Sequence, residues 1–172
     1  MIGPKKAPKD FGFKSGDSHI IVNDIINTAK AYNFSGKLLW ELPALARGQA
    51  ADNVWQIPRS DTPPGLWKLT TPIVNDVARY GSKPREEQEF LRAYGWIFFP
   101  MMSLEGQETK FGRRGIGLHG GGSACGWPGA WLPMQTLYPT HGCVRMHNTH
   151  TRDNILPLFR SGTVFLSVYQ ES

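Results

Sequence analysis

Four of the five histidines, His119, His141, His147 and His150, fall within 32 residues, and both cysteines, Cys125 and Cys143, lie in the same window. No carboxylate occurs between Glu108 and Asp153, while Arg113, Arg114, Arg145 and Arg152 make the stretch locally positive. A cysteine needs such surroundings to ionise near neutral pH, because positive charge and hydrogen-bond donors stabilise the thiolate. It also needs a base within hydrogen-bond reach. His141 stands two residues before Cys143, so in an extended segment both would point to one face. His119 is distant in sequence and can approach from another strand. Gly142 lets the backbone come close to a substrate. The N–H groups of Gly142 and Cys143 are candidates to stabilise a tetrahedral oxyanion. With no acid nearby in sequence, the base is expected to be oriented by a backbone carbonyl, a distant carboxylate being the alternative.

The segment Thr140-His141-Gly142-Cys143-Val144-Arg145-Met146 resembles the signature of the L,D-transpeptidase catalytic domain (YkuD type). There, Ser or Thr precedes His-Gly-Cys, and an apolar residue and often Arg follow. Leu118-His119-Gly120 resembles the upstream half of that signature, and Asp61-Thr62-Pro63-Pro64-Gly65 resembles the family's Thr-Pro-x-Gly turn before a strand. The resemblance covers roughly residues 19–170. It implies a mainly β fold, a YkuD-like β-sandwich with one or two short helices. It also implies Cys143 as nucleophile, His119 as the base that activates it, and His141 shaping the site or binding substrate. The implied reaction is attack on the carbonyl between the third-position diamino acid and the fourth-position D-residue of a peptidoglycan stem peptide. The thioester would then be captured by an acceptor amine, making a cross-link, or by water, as in an L,D-carboxypeptidase. No metal or organic cofactor is required. Inhibition by carbapenem-type β-lactams is implied by resemblance alone. The site of action it implies is extracytoplasmic, and since this chain shows no signal peptide, the leader is absent from it or export takes another route.

The chain departs from the family in one respect. Twenty residues separate His119 from Thr140, more than is usual. The excess falls in residues 121–139, which hold Cys125, Trp127 and Trp131 and should line the cleft. Trp127 and Trp131 read either as substrate contacts or as loop packing. Arg145 either orients a substrate carboxylate or braces the loop. Thr140 and Gly120 are placed with the substrate-binding residues, although the Thr140 hydroxyl is also expected to bond local backbone. Cys125 reads as an inert thiol, because a disulfide with Cys143 would block the nucleophile. His147 and His150 read as surface or helix-cap residues.

Two other classes compete. His119, Cys125, His141, Cys143, His147 and His150 could supply zinc ligands, but CxxC, HxxxH and HExxH spacings are absent and Cys143-x3-His147 is weak. A catalytically inactive wall-binding module is the third class, which the intact Cys143 and His119 argue against. Residues 115–120 formally match GxGxxG, but glycine and proline follow where a dinucleotide-binding helix should begin.

The elements that must position these residues read as follows. The chain has 172 residues with 40% hydrophobic and 19% charged residues, which excludes global disorder. It is long enough for one domain with its own core. No run approaches the length of a membrane-spanning helix. The net charge of +5 is spread without runs, so patterning does not suggest nucleic acid. Residues 1–17 read as a polar tail and 18–172 as the catalytic domain. Strands are expected over 19–23, 27–33 and 37–42, with a hairpin at Asn33-Phe34-Ser35-Gly36. Residues 65–75 read as a strand interrupted at Pro72 and therefore at an edge. Residues 82–92 read as a helix opened by Ser82 and Pro84, and 96–99 as a buried strand. Residues 115–139, with seven glycines and three prolines, read as a long functional loop. A helix over 149–159, capped by Asn148 or Thr149, and a strand after Gly162 complete the chain.

Overall fold

A computed structural model describes residues 1–50, 54–75, 92–122 and 128–171. Residues 82–91 of the helix expected over 82–92 lie outside the described residues, as do Cys125 and Trp127.

Alternating side chains build the first three strands. In β1 (Ser18–Asn23), Ser18, Ile20 and Val22 face inward and His19, Ile21 and Asn23 do not, the period-two pattern of a sheet with one core face. β1 pairs antiparallel with β2 (Thr28–Asn33), and β2 with β3 (Leu38–Pro43). The turn between β2 and β3 is fastened by Asn33, whose Oδ1 accepts from the Lys37 N–H at 2.9 Å. On its other side β1 pairs in parallel with the last strand, β9 (Val164–Tyr169).

β9 is buried on both faces, Val164 to Val168 without interruption, because residues 1–17 cover its outer side. Phe13 packs edge-on against Phe165 at 5.8 Å, Ile2 pairs with Gln170, and Glu105 takes the N–H groups of Lys5 and Lys6. β4 (Gly65–Leu69) lies antiparallel between β9 and β6 (Ile97–Ser103). The edge position expected for 65–75 therefore holds only for the short strand after Pro72, β5 (Ile73–Val74), which pairs with β6 alone. β4 itself is internal.

β6 joins two halves of the sheet. Its second half, Met101 to Ser103, pairs with β4. Its first half, Phe98 to Pro100, pairs with β7 (Gly117–His119). β7 in turn pairs in parallel with β8 (Val144–Arg145). The full order is β3-β2-β1-β9-β4-β6-β7-β8. The two ends of that order meet: Leu45, just beyond β3, exchanges hydrogen bonds of 2.9 and 2.8 Å with Arg145 of β8. The sheet is thus mixed and curled into a half-barrel, and its concave side holds a core around Trp67, Phe99, Leu118, Val144 and Leu166. The fold is mainly β with a few short helices.

Three local expectations change. Residues 115–139 are not all loop: Gly117–His119 is β7, and Pro128–Trp131 is a 3-10 turn. The last helical segment opens one residue earlier than expected, with His147 at the N-cap position and Asn148–His150 as its first turn. It continues as a π turn, Thr151–Ile155, and a 3-10 turn, Leu156–Arg160. Gln107–Phe111 forms a short helix that the sequence pattern does not signal.

Candidate active site

The turn at 140–143 is built from its own first residue. The Thr140 hydroxyl donates to the Cys143 carbonyl at 2.8 Å and accepts the Gly142 N–H at 3.0 Å. Outside the turn, the Thr140 N–H donates to the Arg47 carbonyl. That neighbouring segment is held by buried acids: Asp61 accepts from the Gly48 N–H at 2.7 Å, and Asp24 from Arg47 Nε at 3.2 Å.

Gly142 has φ +120°, a conformation strained for any residue with a Cβ. A Cβ there would also stand 1.9 Å from Nη2 of Arg113. The segment is therefore bent. It is thus not the extended segment of the expectation, and His141 is exposed while Cys143 is buried, although both line one cleft. Gly142 also differs from expectation as an oxyanion donor, because its N–H is spent on Thr140.

β7 brings His119 beside this turn, since His119 is in register with Arg145 of β8. His119 is 2% exposed. Its Nδ1 lies 2.8 Å from the Gly120 carbonyl. A carbonyl only accepts, so Nδ1 carries the proton and Nε2 is the free acceptor. The ring stacks on Phe98 and meets the edge of Tyr94 at 4.9 Å. Burial, reinforced by Arg145, pushes the His119 pKa down to about 3, opposed by the Gly120 hydrogen bond. The imidazole is neutral at pH 7.

His119, His141, Cys143 and Arg145 line one cleft of about 90 Å³, with Tyr94 and Gln49 on its wall. Cys143 is a free thiol. Burial raises its pKa, while the Gly117 N–H, Arg145 and Arg113 lower it. Gly117 donates to Sγ at 3.4 Å. Burial, then Cys143, raises the Tyr94 phenol. Arg145 is brought down to about 10 by burial, with Cys143 opposing. It is 2% exposed, and its Nη1 donates to the Gly121 carbonyl. His141 Nε2 meets Gln49 Oε1 at 3.1 Å on the rim. In chemical terms, the cleft offers a buried thiol, a neutral imidazole acceptor and a buried cation around a space for a small acyl group.

Other expected residues fall elsewhere. Gly120 contributes its carbonyl to His119, and a Cβ on it would sit 2.0 Å from Asn148 Oδ1. Trp131 is not on the wall of the cleft; its carbonyl accepts from Trp96 Nε1 at 3.0 Å. His147 Nδ1 bonds the Gln135 carbonyl, and its ring meets that of His150 at 5.1 Å. Among the described residues, no group of three or more His, Cys, Asp or Glu is placed to hold a metal ion.

Sequence reasoning missed two organisers. Asn148 is fully buried. Its Oδ1 accepts from the N–H groups of Trp96 and Gly121, and its Nδ2 donates to the carbonyls of Ala130 and Leu132. Arg113 is the second. Its Nη1 donates to the Trp55 carbonyl, the Ser60 hydroxyl and the Asp61 carbonyl, and its Nη2 to the carbonyls of Ser60 and His141. Neither carries a spacing signal. The near hint for Arg113 was the run of positive charge without acids.

The model of the L,D-transpeptidase catalytic domain, YkuD, matches residues 17–154, well over half of the chain. The chain belongs to the YkuD L,D-transpeptidase catalytic domain family. Solved structures also resemble the chain. Bd1075 of Bdellovibrio bacteriovorus superposes with a TM-score of 0.54 at 19% identity, over 88% of this chain and 47% of that one. The helical cell shape determining protein Pgp2 of Campylobacter jejuni gives 0.52 at 18% identity, over 90% of this chain and 48% of that one. L,D-transpeptidase 1 of Mycobacterium tuberculosis gives 0.43 at 14% identity, over 88% and 61%. This chain thus spans about half the length of the first two. No curated protein sequence matches significantly. Among the described residues no helix is long and apolar enough to cross a membrane.

Proposed function

We propose that this YkuD domain is a cysteine-dependent L,D-transpeptidase acting on peptidoglycan stem peptides, with residues 18–172 as the catalytic unit. The observation that carries the reading is the bond from His119 Nδ1 to the Gly120 carbonyl. It leaves Nε2 as a proton acceptor on the wall of the cleft that also holds the Cys143 thiol.

In the proposed reaction both partners start neutral. Cys143 Sγ attacks the carbonyl of the third-position residue as its proton passes to His119 Nε2. The Cys143 N–H and the Arg145 cation face the oxyanion that forms. Collapse of the tetrahedral adduct breaks the amide bond, and His119 returns the proton to the departing D-amino acid. An acceptor amine then attacks the thioester, gives its proton to His119 and frees the thiol. His141 and Gln49 stand at the rim, where a stem peptide would enter, and Thr140 holds the turn. Carbapenems, being acyl donors, would trap Cys143 in the same step. The substrate places the site of action outside the cytoplasmic membrane.

The test is incubation with disaccharide-tetrapeptide fragments, products read by mass spectrometry, and Cys143→Ala as control. A Cys143-dependent dimer lacking one D-residue supports transpeptidation. A tripeptide alone assigns the water-using carboxypeptidase instead. Unchanged fragments refute both and favour the inactive wall-binding module.

A further inference from the structure

Arg113 is 4% exposed, yet no carboxylate lies within ion-pair distance of it among the described residues. Burying an unpaired charge is costly. Here its hydrogen bonds go to neutral acceptors, four carbonyls and the Ser60 hydroxyl. These acceptors lie on two separate segments, 55–61 and the turn at 140–143. The guanidinium occupies the space that a side chain on residue 142 would fill. Arg145, which lines the cleft with Cys143, is likewise buried, and among the described residues it has no carboxylate in ion-pair range and its Nε has no hydrogen-bond partner. Two buried cations thus lie close to one buried thiol, and among the described residues neither makes an ion pair with a carboxylate.

We infer that Arg113 is a positioning residue for the proposed acyl transfer: it clamps the 140–143 turn in its bent form and supplies, from beneath Gly142, positive charge against which Cys143 ionises. The inference rests on the reading of Cys143 as nucleophile. The other titratable groups facing Cys143 do not serve that purpose. His119 on β7 is neutral, and Tyr94 is a phenol raised by burial and by Cys143. His141 belongs to the turn itself and points to the rim. Arg145 acts from the cleft side. Asp61 is the acid felt by Arg113, where its influence is smaller than that of Cys143, and one of its oxygens is held by the Gly48 N–H. Among the described residues, Arg113 is left as the charge under the turn.

The test uses the full chain in a Cys125→Ala background, so that Cys143 is the single thiol. Alkylation by iodoacetamide is followed against pH, together with kcat and KM on the tetrapeptide fragment and thermal unfolding. For Arg113→Met the alkylation midpoint should rise by about one pH unit, a tenfold loss of thiolate at pH 7, and kcat should fall at least about tenfold with KM little changed. Arg113→Lys keeps the charge but not the planar set of donors. Its midpoint should stay near that of the parent while kcat still falls. A folded Arg113→Met variant with unmoved midpoint and kcat overturns the inference. If that variant does not fold, Arg113→Lys decides, and parental kcat in it overturns the clamp. The two claims separate cleanly. Absent turnover in the parent with a midpoint moved in Arg113→Met refutes the proposed function and leaves the charge effect of Arg113 on Cys143 standing; turnover in the parent with midpoint and kcat both unmoved in Arg113→Met does the reverse.

Discussion

Asn148 joins three segments through one fully buried side chain, so its removal has a calculable cost. Its four hydrogen bonds measure 3.2 Å from Trp96 N, 3.0 Å from Gly121 N, and 2.7 Å each to the carbonyls of Ala130 and Leu132. Asn148→Ala leaves two N–H groups and two carbonyls without this partner. A buried polar group left unsatisfied costs about 1–3 kcal/mol. The bonds to Gly121 and Ala130 are buried and those to Trp96 and Leu132 only partly so, so the middle of that range for the two buried groups gives about 4 kcal/mol. For a chain of this length that lowers Tm by roughly 8–16 °C. Asn148→Asp discriminates between lost volume and lost bonds. It keeps an acceptor for Trp96 and Gly121 but aims carboxylate oxygen at two carbonyls, and its Tm should fall at least as far. The half-buried Thr149→Ala, which loses one side-chain bond to the Pro133 carbonyl, should change little. Activity should fall with stability, because Gly121 adjoins the Gly120 carbonyl that orients His119. Differential scanning calorimetry on the three variants is the assay. An Asn148→Ala protein melting within 2 °C of the parent would refute the hydrogen-bond accounting.

Further outcomes follow from the turn and the buried rings. Gly142→Ala meets Arg113 Nη2 and a φ of +120°; backbone strain of about 1–3 kcal/mol and loss of turnover are expected, with a melting curve and the fragment assay as checks. Thr140→Val removes the hydroxyl that holds both the Gly142 N–H and the Cys143 carbonyl; kcat should fall by more than KM rises in steady-state kinetics. His19 and His119 are held neutral by burial, at about 4 and about 3 against 6.5. Below pH 6.5 the unfolded chain takes up protons that the folded one refuses, so their contribution is complete above 6.5 and is lost as pH falls towards 3–4. Urea midpoints should drop between pH 6.5 and 5, and less so in His119→Asn; a midpoint flat over that window would contradict the burial argument.

The parts of the fold that sequence revealed are those governed by local pattern. Alternation in Ser18–Asn23 and the Asn33–Gly36 turn signal predict the first hairpin because each side chain chooses its face from its neighbours alone. The His-Gly-Cys segment was legible as a motif, and the oriented His119 was anticipated in kind, by a backbone carbonyl. What was hidden depends on contacts between distant segments. β7 has three residues, too few for a period to show, and it sits in a glycine-rich stretch. The bend at Gly142, which leaves His141 exposed and Cys143 buried, is packed against Arg113 arriving from 29 positions upstream. Asn148 looked like a helix cap, and its amide instead ties Trp96 to residues of the 121–139 stretch. β9 reads as alternating, yet it is covered on both faces because residues 1–17 return to it.

The central claim is that Cys143, deprotonated through His119, is the atom that takes the acyl group. Its most direct measurement is intact and peptide mass spectrometry of the protein after brief exposure to a carbapenem or to a tetrapeptide donor. The account predicts a single covalent adduct on the peptide bearing Cys143, none in Cys143→Ala, an undiminished adduct in Cys125→Ala, and acylation at least about a hundredfold slower in His119→Ala. An adduct on Cys125, or acylation of Cys143 at the parental rate without His119, would contradict it.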